Sequence, residues 1–381
     1  MAQSSESRGA RAALMVAHCA GMVDLVALPV WVGVLIAGYG LDPQQAGGLA
    51  TLFLLGAVCA SALVAPRSDR MPARAVAAAG FAVAAGAFGA VSLVHGFTTM
   101  AVLHLAAGLA AGTALSLTHA AIGCSGNPHR LFAIVGFALG VFGVAFMGTV
   151  PQVVAAVGAP ALFRTFAAIM ACAAGAAALG FPGIRPRTAA APGPRRSLPR
   201  AVWLVAAGIS CMGLTQAMMF AFVERIGADR GYGAAAVGGV LIALGFVNLL
   251  PAPLAAFLQG RLNPRAVLVC GPVLQAVLAL LLTQSEAFPP YAAGALFFAG
   301  VMIFTHTFAF GLLAALDPSG RAAGATPAMV MIGAAVGPLF GGTLVKLAGY
   351  PSLGFAAVAI AACAVACFLP RRAGEAVPAH S

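Results

Sequence analysis

Asp24 is the one acidic residue set deep inside an apolar stretch; the run from Ala12 to Gly38 is otherwise almost wholly apolar and long enough to cross a bilayer. A carboxylate at the centre of such a helix costs about 2.5–3.5 kcal/mol on insertion scales, so a residue kept there has a task. The chemistry open to it is to take up and release a proton, or to hold a cation. His18 lies six residues back, which turns it about 120° away on a helix, so the two form no local pair.

Other groups could share that work. Thr113, Ser116 and His119 recur at helical spacing and make a polar stripe. Its bland reading is hydrogen bonding between helices by small polar residues. His306 stands in Thr305-His306-Thr307 between Phe304 and Phe308, and an imidazole titrates near neutrality. A neutral histidine bonded to a carbonyl is the alternative there. Gln216, Met219 and Phe220 fall on one face of the stretch 201–226, with Met218 beside them. Glu224 and Arg225, near the end of that stretch, read as a surface or gate pair. The eight cysteines are scattered. Cys363 and Cys367 share a helix face, but two thiols make no zinc site. No metal, cofactor or enzymatic centre is expected, and the lack of a phosphate-binding loop argues against ATP coupling.

The elements that would position these groups follow from composition. Of 381 residues 62% are hydrophobic and 8% charged, with a mean hydropathy of +1.01. A soluble chain of this size would need more charge to cover its surface. Apolar stretches of about twenty residues recur along the whole chain, each matching the hydrocarbon thickness. Twelve are expected, from 12–37 at one end to 351–369 at the other. Strands are disfavoured, because a barrel needs polar alternation that these runs lack. The expected class is an all-α membrane protein of twelve transmembrane helices.

The net charge of +11 does not point to nucleic acid, because the basic residues form no single patch. They mark the loops. With a cytoplasmic N-terminus, 16 of the 20 arginines and lysines fall inside and only Arg164, Arg225, Arg230 and Lys346 fall outside. Positive residues favour the cytoplasmic side, so both termini are expected there, in a bacterial-type inner membrane.

A boundary lies at Pro182–Pro199, with five prolines and four arginines. Proline at that density breaks helices. The reading is a six-helix bundle over 1–181, a cytoplasmic linker over 182–200 and a second bundle over 201–381. The bundles look like a repeat offset by 191 residues. Gly47-Gly48 falls on Gly238-Gly239, Arg70 on Arg261, Arg74 on Arg265, and Arg130 on Arg321. Parallel halves related by an axis along the membrane normal are a known transporter plan.

The loop Ala65–Arg74 resembles the signature of the major facilitator superfamily, a small residue followed by Asp-Arg and a further basic residue. Asp69, Arg70 and Arg74 fit it, while Pro72 replaces the usual glycine. Gly324, Gly333, Gly337-Pro338 and Gly341-Gly342 have the spacing of that superfamily's glycine-proline signature. The resemblance spans the chain and leans towards the twelve-helix drug and sugar efflux branch. It implies alternating access around a midplane cavity lined by the first and fourth helices of each half. It also implies that Asp69 and Arg70 gate that cycle against the start of the eleventh helix, while His104 departs from the arginine that family antiporters often carry.

The expectation is therefore a monomeric secondary transporter in the lipid bilayer. It moves a small organic solute, with protons as coupling ion and export as direction. Uptake of a small organic acid and a non-transporting receptor or scaffold are the alternatives. The absence of midplane Arg or Lys argues against phosphorylated substrates and for a mainly apolar solute, neutral or singly cationic.

Overall fold

The computed structural model describes residues 7–184, 198–317 and 326–369. Twelve helical spans in these residues are long and apolar enough to cross a membrane, and no strand occurs among them. In chain order the helices are α1 (Arg8–Gly21), α2 (Val23–Tyr39), α3 (Pro43–Val64), α4 (Ala73–Val91), α5 (Phe97–Gly123), α6 (Pro128–Val157) and α7 (Pro160–Gly180). They continue with α8 (Arg200–Phe220), α9 (Val223–Asp229), α10 (Ala234–Val247), α11 (Pro251–Leu258), α12 (Pro264–Gln284), α13 (Phe288–Leu316), α14 (Thr326–Ala348) and α15 (Pro351–Phe368). A short 3₁₀ helix, Ala65–Arg70, follows α3.

The helices outnumber the spans because three spans are broken. The first divides into α1 and α2 at Met22, the seventh into α8 and α9 at Ala221 and Phe222, and the eighth into α10 and α11 over residues 248–250. Pro251 sits at the start of α11, where its missing N–H is harmless. Residues that suit a first turn open many of the others. Pro43, Pro128, Pro160, Pro264 and Pro351 begin their helices, and Asp42, Asn127 and Asn263 accept capping bonds from backbone N–H groups.

The offset of 191 recurs in the helix boundaries. The starts Pro43, Ala73, Phe97 and Pro160 each have a counterpart 191 residues on, at Ala234, Pro264, Phe288 and Pro351. A contact between the two sets of six spans obeys it too. Leu339 of α14 bonds Thr51 of α3, and at their counterparts a Cβ on Gly148 of α6 would meet Ile242 of α10. Much of the expected linker, residues 185–197, lies outside the described residues, as do Arg321 and Gly324 of the sequence motifs.

Small residues let the backbones approach, which is how helices associate when lipid is as apolar as the side chains. The eleventh span shows the device on two faces. A Cβ on Gly333, Gly337 or Gly341 would meet Ser210, Ala217 or Met218 of α8. One residue round the helix, Gly342 lies against the carbonyl of Pro43, and the carbonyl of Pro338 lies against Gly47. The glycine-proline pattern thus packs α14 on its own half through one face and on α3 of the other half through the next.

Candidate functional site: a broken first span and a sealed end

Asp24 lies in the first turn of α2, directly after the break at Met22. An N-terminal helix turn leaves backbone N–H groups unpaired and favours a carboxylate by about 0.3–1 kcal/mol, more where partly buried. Its carboxylate faces its own backbone N–H and that of Leu25. It has no side-chain partner among the described residues, and no cation approaches it. Pro29, one turn on, removes the N–H that would close on the Leu25 carbonyl. The chain therefore keeps an unpaired acid in an irregular stretch of a membrane span.

His18 is at the other side of the same break, and its carbonyl accepts from the N–H of Met22. Its ring does not face Asp24. His18 Nδ1 lies 3.2 Å from His119 Nε2 on α5, with ring centroids 5.2 Å apart. In a neutral pair one imidazole must donate and the other accept. The stripe on α5 separates accordingly. Thr113 donates to the Leu109 carbonyl in its own helix, Ser116 is buried without a side-chain bond among the described residues, and His119 is committed to His18.

The remaining candidates are placed as follows. Gln216 of α8 accepts a bond from Gln275 of α12, so it faces a neighbouring helix of its half. Met218, Met219 and Phe220 are buried, Met218 against Gly337 and Gly341 and Phe220 against Phe298. Phe304 and Phe308 pack together at 5.1 Å, with Phe308 buried. His306 is half-buried beside Phe310, and its Nδ1 has no hydrogen-bond partner among the described residues. His104 is fully buried. It bonds the Met100 carbonyl through Nδ1 and packs in an aromatic cluster around Trp31, with Phe53, Phe88, Phe163 and Phe166. A residue in that cluster is a packing group of the first half.

The loop motif is partly structural. Arg74 Nε donates to the Phe181 carbonyl at 3.0 Å and holds the end of α7 against the start of α4. Asp69 and Arg70 are exposed and have no bond or ion pair among the described residues. The 3₁₀ helix that carries them packs on α3 and α5. The segment that precedes α14, where the resemblance would dock them, lies outside the described residues.

One end of the bundle is sealed. All side-chain hydrogen bonds that join described residues of the first six spans to the last six lie there. Lys346 donates to Asp42 at 2.9 Å and to Gln44 at 3.3 Å, Gln44 donates to Thr343, and the N–H of Leu339 donates to Thr51. A crevice of about 720 Å³ between α1, α6 and α7 is lined by Val16, Val153 and Val157, which are exposed on the apolar flank. None of the candidate cavity residues lines it.

A profile of the Major Facilitator Superfamily matches residues 13–319. No curated protein sequence matches significantly. Among solved structures, the nucleoside transporter NupG (D323A mutant) superposes with a TM-score of 0.76 at 13% identity, covering 94% of this chain and 98% of that one. A bacterial homolog of the human lysosomal transporter Spinster, inward-facing and occupied, superposes with a TM-score of 0.72 at 15% identity, covering 94% and 95%. At these identities the likeness is one of fold. With twelve membrane spans, helix starts that repeat at a fixed offset and a family match over most of its length, the chain belongs to the major facilitator superfamily of transporters.

Proposed function

We propose that this protein is a proton-coupled secondary transporter that exports a small, mainly apolar solute, neutral or singly cationic. Two six-helix units, 1–181 and 201–381, rock about a midplane cavity, joined by a linker over 182–200. The observation that carries the reading is Asp24, an acid without a side-chain partner beside a break in the first span. Protonation removes its charge and so changes the cost of each cavity state; a proton thereby biases the equilibrium between them. His119, Ser116 and Thr113 on α5 and His306 on α13 supply further polar groups. The arginine asymmetry supports an orientation with the sealed Asp42 end outside and both termini in the cytoplasm of a bacterial-type inner membrane.

The substrate reading rests on charge. Arginines and lysines mark loops and helix ends, so a multiply anionic solute finds no counter-charge at mid-depth. Proteoliposome flux with and without a pH gradient tests the proposal, on a panel of apolar amines, aromatic compounds, sugars and sugar phosphates. Gradient-driven movement of an amine or aromatic compound supports it. Saturable transport of a sugar phosphate contradicts it.

A further inference from the structure

The break in the seventh span turns a second acid towards the other half. Glu224 lies in the first turn of the short helix α9, and its Oε2 occupies the place that a Cβ on Gly33 of α2 would take. The offset of 191 makes Gly33 and Glu224 equivalent positions, so the two halves meet here near their symmetry axis. Glycine in one half leaves the room that the carboxylate of the other half fills.

The expected pairing with Arg225 does not form. Arg225 binds Asp229 one turn on, and Tyr350 also donates to Asp229. Arg230 donates to the carbonyls of Leu282 and Thr283. Tyr291 of α13 donates to the Val223 carbonyl at 2.8 Å, and Tyr232 donates to the Glu286 carbonyl. On α2 the nearest titratable groups along the chain are Tyr39 and Asp24, six and nine residues from Gly33; α10 carries none, and α8 carries Cys211 and, at the end of the helix away from α9, Arg200. Arg225 and Arg230 thus bond elsewhere, and although the Arg225 charge still acts on Glu224, the carboxyl forms no hydrogen bond or ion pair among the described residues. Pressed on backbone without an ion-pair partner, a carboxyl favours the form that carries its proton.

We propose that Glu224 is a second proton-binding site, one that holds the Asp42 end shut while protonated. Opening that end lifts the carboxyl from Gly33 into water, where it releases its proton to solvent. Raising the pH therefore favours opening. This rests on the alternating-access reading above and is independent of proton binding at Asp24.

The test uses the full chain in lipid nanodiscs, with spin labels on encoded keto amino acids at Ala37 and Ala228, exposed positions near the ends of α2 and α9. Distances are read by double electron–electron resonance across pH in an Asp24→Asn background, which removes the other membrane acid. The ratio of long to short distances should rise, by up to about tenfold per pH unit while one proton is coupled to opening. Adding Glu224→Gln should abolish that rise and leave the short distance dominant. Gly33→Ala should displace the flexible end of Glu224, favour the long distance at every pH and also abolish the rise, which supplies a second reading should the glutamine variant fail to fold. A pH response that persists in Glu224→Gln, or a short distance that never lengthens in the Asp24→Asn protein, overturns the proposal. Proton-driven flux is measured separately, so failure here is distinct from failure of coupling at Asp24.

Discussion

Lys346 Nζ lies 2.9 Å from Asp42 Oδ2 and ties the eleventh span to the second across the junction of the halves. Asp42 serves two structures at once. Its other oxygen accepts from the N–H of Gln45, while Gln45 accepts from the N–H of Asp42, a reciprocal cap at the start of α3. Substitutions can separate these tasks. Asp42→Asn keeps a capping side chain and loses the ion pair, and an exposed pair is worth about 0.2–1 kcal/mol, so the closed population should fall by no more than about fivefold. Asp42→Ala should also lower thermal stability, by about 0.5–2 kcal/mol for the lost cap. Equal melting of the two variants would contradict this.

The same pair sets a pH dependence. Burial acts to raise the Asp42 carboxyl, but the bond from Lys346 and the N–H groups of Gln45 and Gln44 outweigh it and hold the carboxyl below its usual range. A group depressed in the folded state stabilises fully above its ordinary value, near pH 4, and loses that contribution as pH falls through the lower folded value. The latch should therefore stay intact through neutral pH and loosen only in acid. Inter-half distances that lengthen in acid only in the presence of Asp42 would check this.

His18 and His119 should show coupling in a double-mutant cycle. Either single change to leucine leaves the partner ring unpaired in the membrane, at about 1–3 kcal/mol. The double variant should lose less than the sum of the two. Additive losses in thermal unfolding would mean that the bond between α1 and α5 contributes nothing.

The two faces of α14 should respond differently to a methyl group. Gly333→Ala meets the Ser210 carbonyl within one half and should lower the melting temperature, since overpacking costs about 1–3 kcal/mol. Gly342→Ala meets the Pro43 carbonyl of the other half and should open the sealed end with a smaller loss of stability. Accessibility of a label at Gly40 separates the outcomes.

Asp69→Asn should slow transport and leave substrate affinity within a few-fold. The residue is exposed in a loop and touches no candidate cavity group, so it acts on state populations. Loss of binding in an equilibrium titration would contradict that role.

The spans were legible because each needs about twenty apolar residues and little else, and the repeat was legible because loop glycines and arginines keep a constant spacing. The glycine pattern of the eleventh span was visible, but its division between α8 and α3 was not, since both faces are lined by small residues. The break at Met22 has no proline at the break itself; Pro29 lies about two turns beyond it. Long-range partners were hidden for a plainer reason. His18 and His119 are 101 residues apart, and neither carries a local sign of the other. Arg225 stands next to Glu224 and pairs with Asp229, because adjacent residues on a helix point apart while those at i and i+4 meet.

The central claim is that Asp24 carries the coupling proton, and the most direct test is flux in proteoliposomes with an imposed pH gradient for the parent and for Asp24→Asn. Removing an unpaired charge from a membrane span should leave folding intact, so the variant is expected to insert and melt like the parent. Its gradient-driven flux should vanish, while downhill exchange of substrate persists. Equal gradient-driven flux in the two proteins would contradict the account.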